Sequence, residues 1–372
     1  MRFATVLFVM TLLPTAALAQ VPADRKDRTE PATLASSDQR PQTPARTAEQ
    51  RPQVPVRPVT PPPVPPPADD ERRNTMVGYI DDALIQTNFR IRFESAQHDP
   101  LPDRAEFFYA KCGCYAGLQG TGLAHLFDPQ APGPRPNIAN DINYQQLYLR
   151  GEYAASRHVS GFIELPFRWL KPQGFLLDGE GFPNSSGIGD VRGGVKVALL
   201  STPKHVVTAK LQAYLPTGDA SVGLGTNHAS LEPSLLYFTQ ATDKVRVESQ
   251  FGVWHPYVGS VGFDPSQPER FAGNIVFYGF GPSVDLYHGR GFSLAPVVEF
   301  LGWHVTSGFQ TKDPGNPPVN DASGTNIFNI KIGARLSWTD KGSIYVGWGH
   351  ALTDERWYSN VLRIEYRYGL KK

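Results

Sequence analysis

The chain of 372 residues carries 36 Lys and Arg against 35 Asp and Glu, a formal net charge of +1. That balance argues against a nucleic-acid partner, which calls for a strongly basic face. Two cysteines exclude a disulfide-stapled scaffold, and 35 glycines with 15 tyrosines and 21 phenylalanines suit a strand-rich protein.

The chain opens with Arg2, an apolar run from Phe3 to Leu13 and the small residues Ala17-Leu18-Ala19, which together have the form of a secretory signal cleaved before Gln20. The run is too short for a membrane-spanning helix, and no later segment offers the ~18 apolar residues one needs. Gln20 stands where lipoprotein anchoring would require a cysteine. We therefore expect residues 1–19 to be a signal peptide and the mature protein to be exported. Residues 20–74 are rich in proline, including the run from Pro61 to Pro67, and nearly lack aromatic side chains. Such a segment buries too little apolar surface to offset its ordering entropy. The expectation is a disordered periplasmic linker with polyproline II stretches. A sharper alternative is a tether to peptidoglycan or to a periplasmic protein.

Residues 75–372 read as a barrel domain whose strands alternate with period two. The first candidate, 82–94, sets Ala83, Ile85, Thr87, Phe89, Ile91 and Phe93 against Gln86, Asn88, Arg90, Arg92 and Glu94. After a long Pro- and Gly-containing segment the pattern resumes at 145–154, 158–168, 187–199 and 205–215. The next candidates are 230–239, weakened by Pro233, then 244–254 and 273–287. Residues 292–304 are ambiguous, with Pro296 in the middle and apolar residues on both faces. Strands at 326–338 and 342–350 follow. The C-terminal stretch, Asn360 to Leu370, places Leu362, Ile364, Tyr366 and Tyr368 against Val361, Arg363, Glu365 and Arg367. An apolar face ending in tyrosines opposite a charged face is the signature of a strand between lipid and a polar lumen. This stretch also resembles the final strand by which outer-membrane barrels are recognised by the assembly machinery.

The pattern yields about twelve strands, an even number as single-chain bacterial barrels have. Short connections such as 155–157 and 240–243 alternate with long ones such as 95–144, 216–229 and 305–325. That alternation matches the asymmetry between periplasmic turns and extracellular loops, and it places both termini in the periplasm. The fold class expected is all-β: an antiparallel up-and-down transmembrane β-barrel in the outer membrane, with outer-membrane lipid around it.

Two stretches carry a family resemblance. One is Gly187-Ile188-Gly189-Asp190-Val191 running on to Lys196; the other is Leu215-Pro216-Thr217-Gly218-Asp219 with Gly223-Leu224-Gly225-Thr226 and Ser230-Leu231-Glu232-Pro233. They resemble a family of bacterial outer-membrane transporters named after the meta pathway of phenol degradation, over about 145–370. The resemblance implies a twelve-stranded barrel and uptake of small compounds, aromatic ones among them.

Several signals invite a chemical reading. The Gly-Ile-Gly-Asp stretch lacks the following helix that a dinucleotide loop needs, so its glycines read as bend points of a strand. Cys112 and Cys114, in the long first loop, read either as a strained local disulfide or simply as two cysteines in an oxidising compartment. Two thiols are too few for a structural zinc site unless His98 or His125 joins them, and we expect no metal and no cofactor. His304 with Thr306 and Ser307, or His350 with Asp354, lack a partner that the sequence can place nearby, so catalytic residues are not expected.

The informative constellation is the polar face. Arg90, Arg92, Arg150, Arg168, Arg192, Lys196, Lys210, Arg246, Lys331, Arg335, Arg363 and Arg367 are expected to line the lumen. So are Glu94, Glu152, Glu164, Asp190, Glu232, Glu248, Asp285, Glu299 and Glu365. Twelve basic residues against nine acidic ones leave an excess of three that favours anions if water fills the pore. Cross-strand ion pairs that merely stiffen the wall are an equally good reading of the same residues. The sequence thus points to a non-enzymatic channel passing small solutes, aromatic or anionic ones included. The alternative is a plugged barrel that serves as a surface or anchoring element.

Overall fold

The computed structural model describes residues 75–100, 133–134, 137, 139–175, 179–258, 272–289, 291–311, 319–338 and 342–370. The expected signal peptide, the Pro-rich linker, Cys112 and Cys114 lie outside the described residues.

Twelve antiparallel strands form the wall. They are β1 (Asn88–Asp99), β2 (Ala139–Ala154), β3 (Val159–Phe175), β4 in two pieces (Ser185–Ile188 and Val191–Ser201), β5 (His205–Leu215) and β6 (Ala229–Gln240). The second half comprises β7 (Val245–Val258), β8 (Ile275–Val284), β9 (Phe292–Val305), β10 (Asn326–Trp338), β11 (Gly342–Ala351) and β12 (Asn360–Gly369). Each strand pairs with its neighbours in sequence, and β1 pairs with β12 in register from Asn88 opposite Gly369 to Gln97 opposite Asn360. The wall is therefore closed, its first strand paired to its last. Pro233 is tolerated because the β6–β7 ladder skips Glu232 and Pro233, where a donor would be missing.

The burial pattern is inverted relative to a water-soluble protein. Ile163, Leu199, Phe251, Phe280, Ile332 and Trp348 stand exposed on the outer face, whereas Arg335, Lys196, Lys331 and Glu365 are at most 1% exposed. A surface of this kind is stable only against lipid. Aromatics gather toward the ends of the wall, as in the stacked pairs Tyr287–Phe292 and Trp338–Tyr366 at the end with the short turns.

Strands β2 and β3 run six and seven residues further toward the long-loop end than the sequence pattern indicates, and the wall departs from the sequence reading more deeply at two places. The first strand begins at Asn88, not at residue 82. Residues 75–87 instead form an irregular strap inside the barrel, and Ala83, expected to face lipid, is 1% exposed within it. The strap starts beside Glu248, near the turn end of β7, and climbs to Tyr79 at mid-wall, where the Gly78–Ile80 amides meet Glu299. It then descends through Asp82 to Thr87, whose carbonyl accepts from the Leu370 amide at the turn end. Apolar residues pack it inside the barrel: Val77 and Ile80 against Val297, Leu301 and Tyr345, and Ala83 and Leu84 against Val206, Leu236 and Phe238. At the second departure, the expected strand 187–199 is broken at Gly189-Asp190.

Candidate functional site: a charged lumen closed by its own chain

Backbone that is neither helix nor sheet survives at membrane depth only where polar groups satisfy it. The inward charges of the wall do this for the strap. The Glu248 carboxylate accepts from Thr75 Oγ1 at 2.7 Å and from the Met76 amide at 2.8 Å. Glu299 accepts from the amides of Gly78, Tyr79 and Ile80 at 3.1, 2.8 and 2.8 Å, and from the Tyr345 hydroxyl at 3.1 Å. Gln250 accepts from the Asp81 amide at 2.8 Å. The strap carbonyls are met from the other side. Arg335 donates to Met76 and Val77, Arg367 to Val77, Arg363 to Gly78, Thr208 to Ala83 and Lys196 to Leu84.

The charges also pair with one another, across strands and along them. Glu152 lies 3.0 Å from Lys196, 3.5 Å from Arg150 and 4.0 Å from Arg90. Glu164 bridges Arg92 and Arg192, while Glu94 joins Arg92 to Arg363. Glu365 joins Arg335 and Arg367, and the strap's Asp82 sits 3.6 Å from both Arg90 and Arg367. Lys210 holds Glu232 and the strap's Asp81, and Arg246 pairs with Asp285. Guanidiniums also lie over rings: Arg92 is 4.0 Å from the Tyr148 centroid and Arg150 is 3.8 Å from that of Phe162.

Three residues of the charged set stand apart. Asp190 sits at the break in β4 and accepts from the amides of Gly218 and Thr226 at 3.0 and 2.8 Å, and from Thr226 Oγ1 at 2.7 Å. It thereby ties the 216–228 loop to the wall. Arg168 reaches the same loop, donating to the Leu224 carbonyl at 3.1 Å. The motifs that carry the family resemblance thus build one loop anchor. Lys331 is fully buried between the rings of Tyr79 and Tyr358, 4.4 and 4.3 Å from their centroids.

Between the strap and the loop end lies a cavity of about 250 Å³. Tyr79 and Asp81 of the strap line it together with Arg92, Glu94, Glu164, Arg192 and Lys331 of the wall, and Trp254, Phe277, Trp303 and Trp357 line it as well. Inward-folded loop residues such as Ala220, Leu224 and Trp357 join the strand-end residues Ile275 and Val305 in an apolar cluster at that end.

The histidines weighed as catalytic bases meet amides. His304 Nδ1 lies 2.8 Å from Asn326 Oδ1 and His350 Nδ1 lies 3.0 Å from Asn360 Oδ1; both residues share the outward-facing register of their strands. His255 pairs in the same way with Asn274 at 2.6 Å. They form a rim on the outside of the loop end, not a nucleophile and base in a cleft.

In fold the chain is similar to an outer membrane channel from Pseudomonas putida F1, at a TM-score of 0.47 and 15% identity over 79% of this chain and 99% of that one. It is likewise similar to the NanC porin, at 0.39 and 9% over 76% and 100%. LpxR from Salmonella typhimurium matches at 0.40 and 10%, again over 76% and 100%. No match was found among curated proteins. Residues 142–254, which hold the Gly187–Val191, Leu215–Asp219 and Gly223–Thr226 motifs, match the family described as "Putative MetA-pathway of phenol degradation", the family those motifs resemble.

Proposed function

We propose that the chain is an outer-membrane channel through which small solutes, aromatic or anionic ones included, diffuse down their own gradients, with the 75–87 strap as its resting closure. The observation that carries this reading is the strap itself. A wall that encloses a polar interior is filled by a noncovalently held segment of its own chain, and that segment can leave without breaking the hydrogen-bond ladder. A barrel built only as a rigid anchor would be served equally well by apolar packing of its interior. In this reading the turn end and the 20–74 linker face the periplasm, residues 1–19 are removed on export, and the charged wall performs no catalysis.

The charge count supports the role of the closure. The excess of three positive charges on the wall falls to one once Asp81 and Asp82 of the strap are included. Osmotic swelling of proteoliposomes in small neutral and anionic solutes tests the reading. A variant lacking residues 75–86 is expected to swell faster than the intact chain, and faster in the anionic solute. A folded deletion variant as impermeable as empty liposomes would favour the plugged, anchoring barrel, in which the linker binds peptidoglycan or a periplasmic protein.

A further inference from the structure

Among the arginines that line the cavity, Arg92 and Arg192 share Glu164, Arg363 has Glu94 and Arg150 has Glu152, while Arg168 donates to the Leu224 carbonyl. Lys331 differs. Its side chain is 0% exposed, yet among the described residues it makes no carboxylate contact within 4.0 Å. Its ammonium touches the Tyr358 hydroxyl and two ring faces. Burying a cation on aromatic faces recovers only part of its lost hydration, so the position favours an added anion. Gly349 opposite leaves room for the lysine stem: a Cβ there would come within 2.3 Å of Lys331 Cδ. The wall therefore makes space for this cation without a carboxylate in contact with it: Glu299, its cross-strand neighbour, turns to the strap amides instead.

Lys331 faces the cavity of about 250 Å³ whose other lining includes Trp254, Phe277, Leu301, Trp303 and Trp357. A charged point beside an aromatic wall recognises a molecule with an anionic head and an apolar body. The volume lies just below the ~300–1,000 Å³ of drug-sized sites, which selects a single ring or a short chain. The same ammonium touches Tyr79, the tip of the strap, and Tyr358 in the 352–359 loop.

We propose that this cavity is a binding site for small amphipathic anions, such as single-ring carboxylates. Lys331 takes the anionic head, and the tryptophan-lined wall takes the body. The inference rests on the channel reading and names its solute class. Because the head competes with the strap's Tyr79 for the ammonium, occupancy weakens the hold on the strap tip.

Fluorescence titration of the full-length protein in detergent tests this, since three of the tryptophans line the cavity. Benzoate is expected to bind saturably, and benzyl alcohol, of the same shape but uncharged, at least about tenfold more weakly, the value of one charge-assisted contact. Lys331→Met is expected to abolish the difference while the barrel keeps its heat-modifiable mobility in gels. Equal binding of benzoate and benzyl alcohol by the wild-type chain overturns the proposal, and that comparison requires no variant. An unchanged preference for benzoate in folded Lys331→Met overturns the role of Lys331. Absence of benzoate binding, with conductance retained in the strap-deleted channel, sinks the site and leaves the channel standing. Benzoate binding in a protein that conducts in no form overturns the transport reading instead.

Discussion

Replacing Glu299 by leucine removes the acceptor on which the strap tip depends. Three backbone amides, those of Gly78, Tyr79 and Ile80, lose their partner in a buried setting, and the Tyr345 hydroxyl loses one as well. An orphaned buried donor costs roughly 1–3 kcal/mol. Even at the low end the three amides together amount to about 3 kcal/mol, enough to raise the population of strap-released molecules roughly a hundredfold. Glu299→Gln keeps one carbonyl acceptor and should have a smaller effect in the same direction. The assay is single-channel recording, paired with limited proteolysis at residues 75–87. Glu299→Leu should open more often than the parent and be cut faster within the strap. A variant that folds, stays as silent as the parent and keeps its strap protected would refute the reasoning, because the wall carboxylates would then not be what holds the closure.

Three further outcomes are expected. Gly281→Val should displace the strap without altering any charge, since a Cβ at Gly281 would come within 2.8 Å of Val77 Cγ1 and 3.0 Å of Ile80 Cδ1; raised conductance and faster cleavage at 75–87 would register it. His228, at the end of the 216–228 loop, is 1% exposed, and burial pushes its imidazole down to about 4. The unfolded loop binds the proton near pH 6.5 and the folded loop only near 4, so stability is full above 6.5 and declines as pH falls between those values, by up to about 3 kcal/mol. Lower exchange protection in 216–228 at pH 5 than at pH 8, after correction for the intrinsic pH dependence of amide exchange, with the difference lost in His228→Phe, would be the signature. Ile332→Arg places a charge on the lipid face, where Ile332 is 50% exposed, and should destabilise the barrel by about 2–4 kcal/mol in denaturant titrations in lipid vesicles; an unchanged midpoint would show that this face does not meet lipid.

Most of the wall was legible because lipid on one side and polar groups on the other impose a period of two that survives prolines and glycines. The expected 205–215 strand coincides with β5, and expected 326–338 with β10. The strap was not legible for a physical reason. Ala83, Ile85 and Thr87 continue the alternation of β1, so periodicity alone extends that strand backward. Yet Val77, Ile80 and Ala83 recur every third residue, facing an interior lined on many sides, a pattern that matches neither the period two of a strand nor the 3.6 of an α-helix. The inward glycines Gly279 and Gly281 were the available signal, since a glycine on a polar strand face marks a close approach by another chain segment. Many of the inward charges are buried, and their partners are divided between the strap and neighbouring strands, which periodicity does not encode. Periodicity assigns Asp190 to the lumen ladder, but its role depends on a loop, 216–228, whose fold no periodicity encodes.

Conductance of the refolded protein in planar bilayers, with and without residues 75–86, tests the central claim most directly. Rare or small steps are expected from the intact chain. Larger, frequent steps are expected from the deletion variant, with a reversal potential in a salt gradient shifted toward anions by the loss of Asp81 and Asp82. Identical conductance and selectivity from the two proteins would contradict that claim.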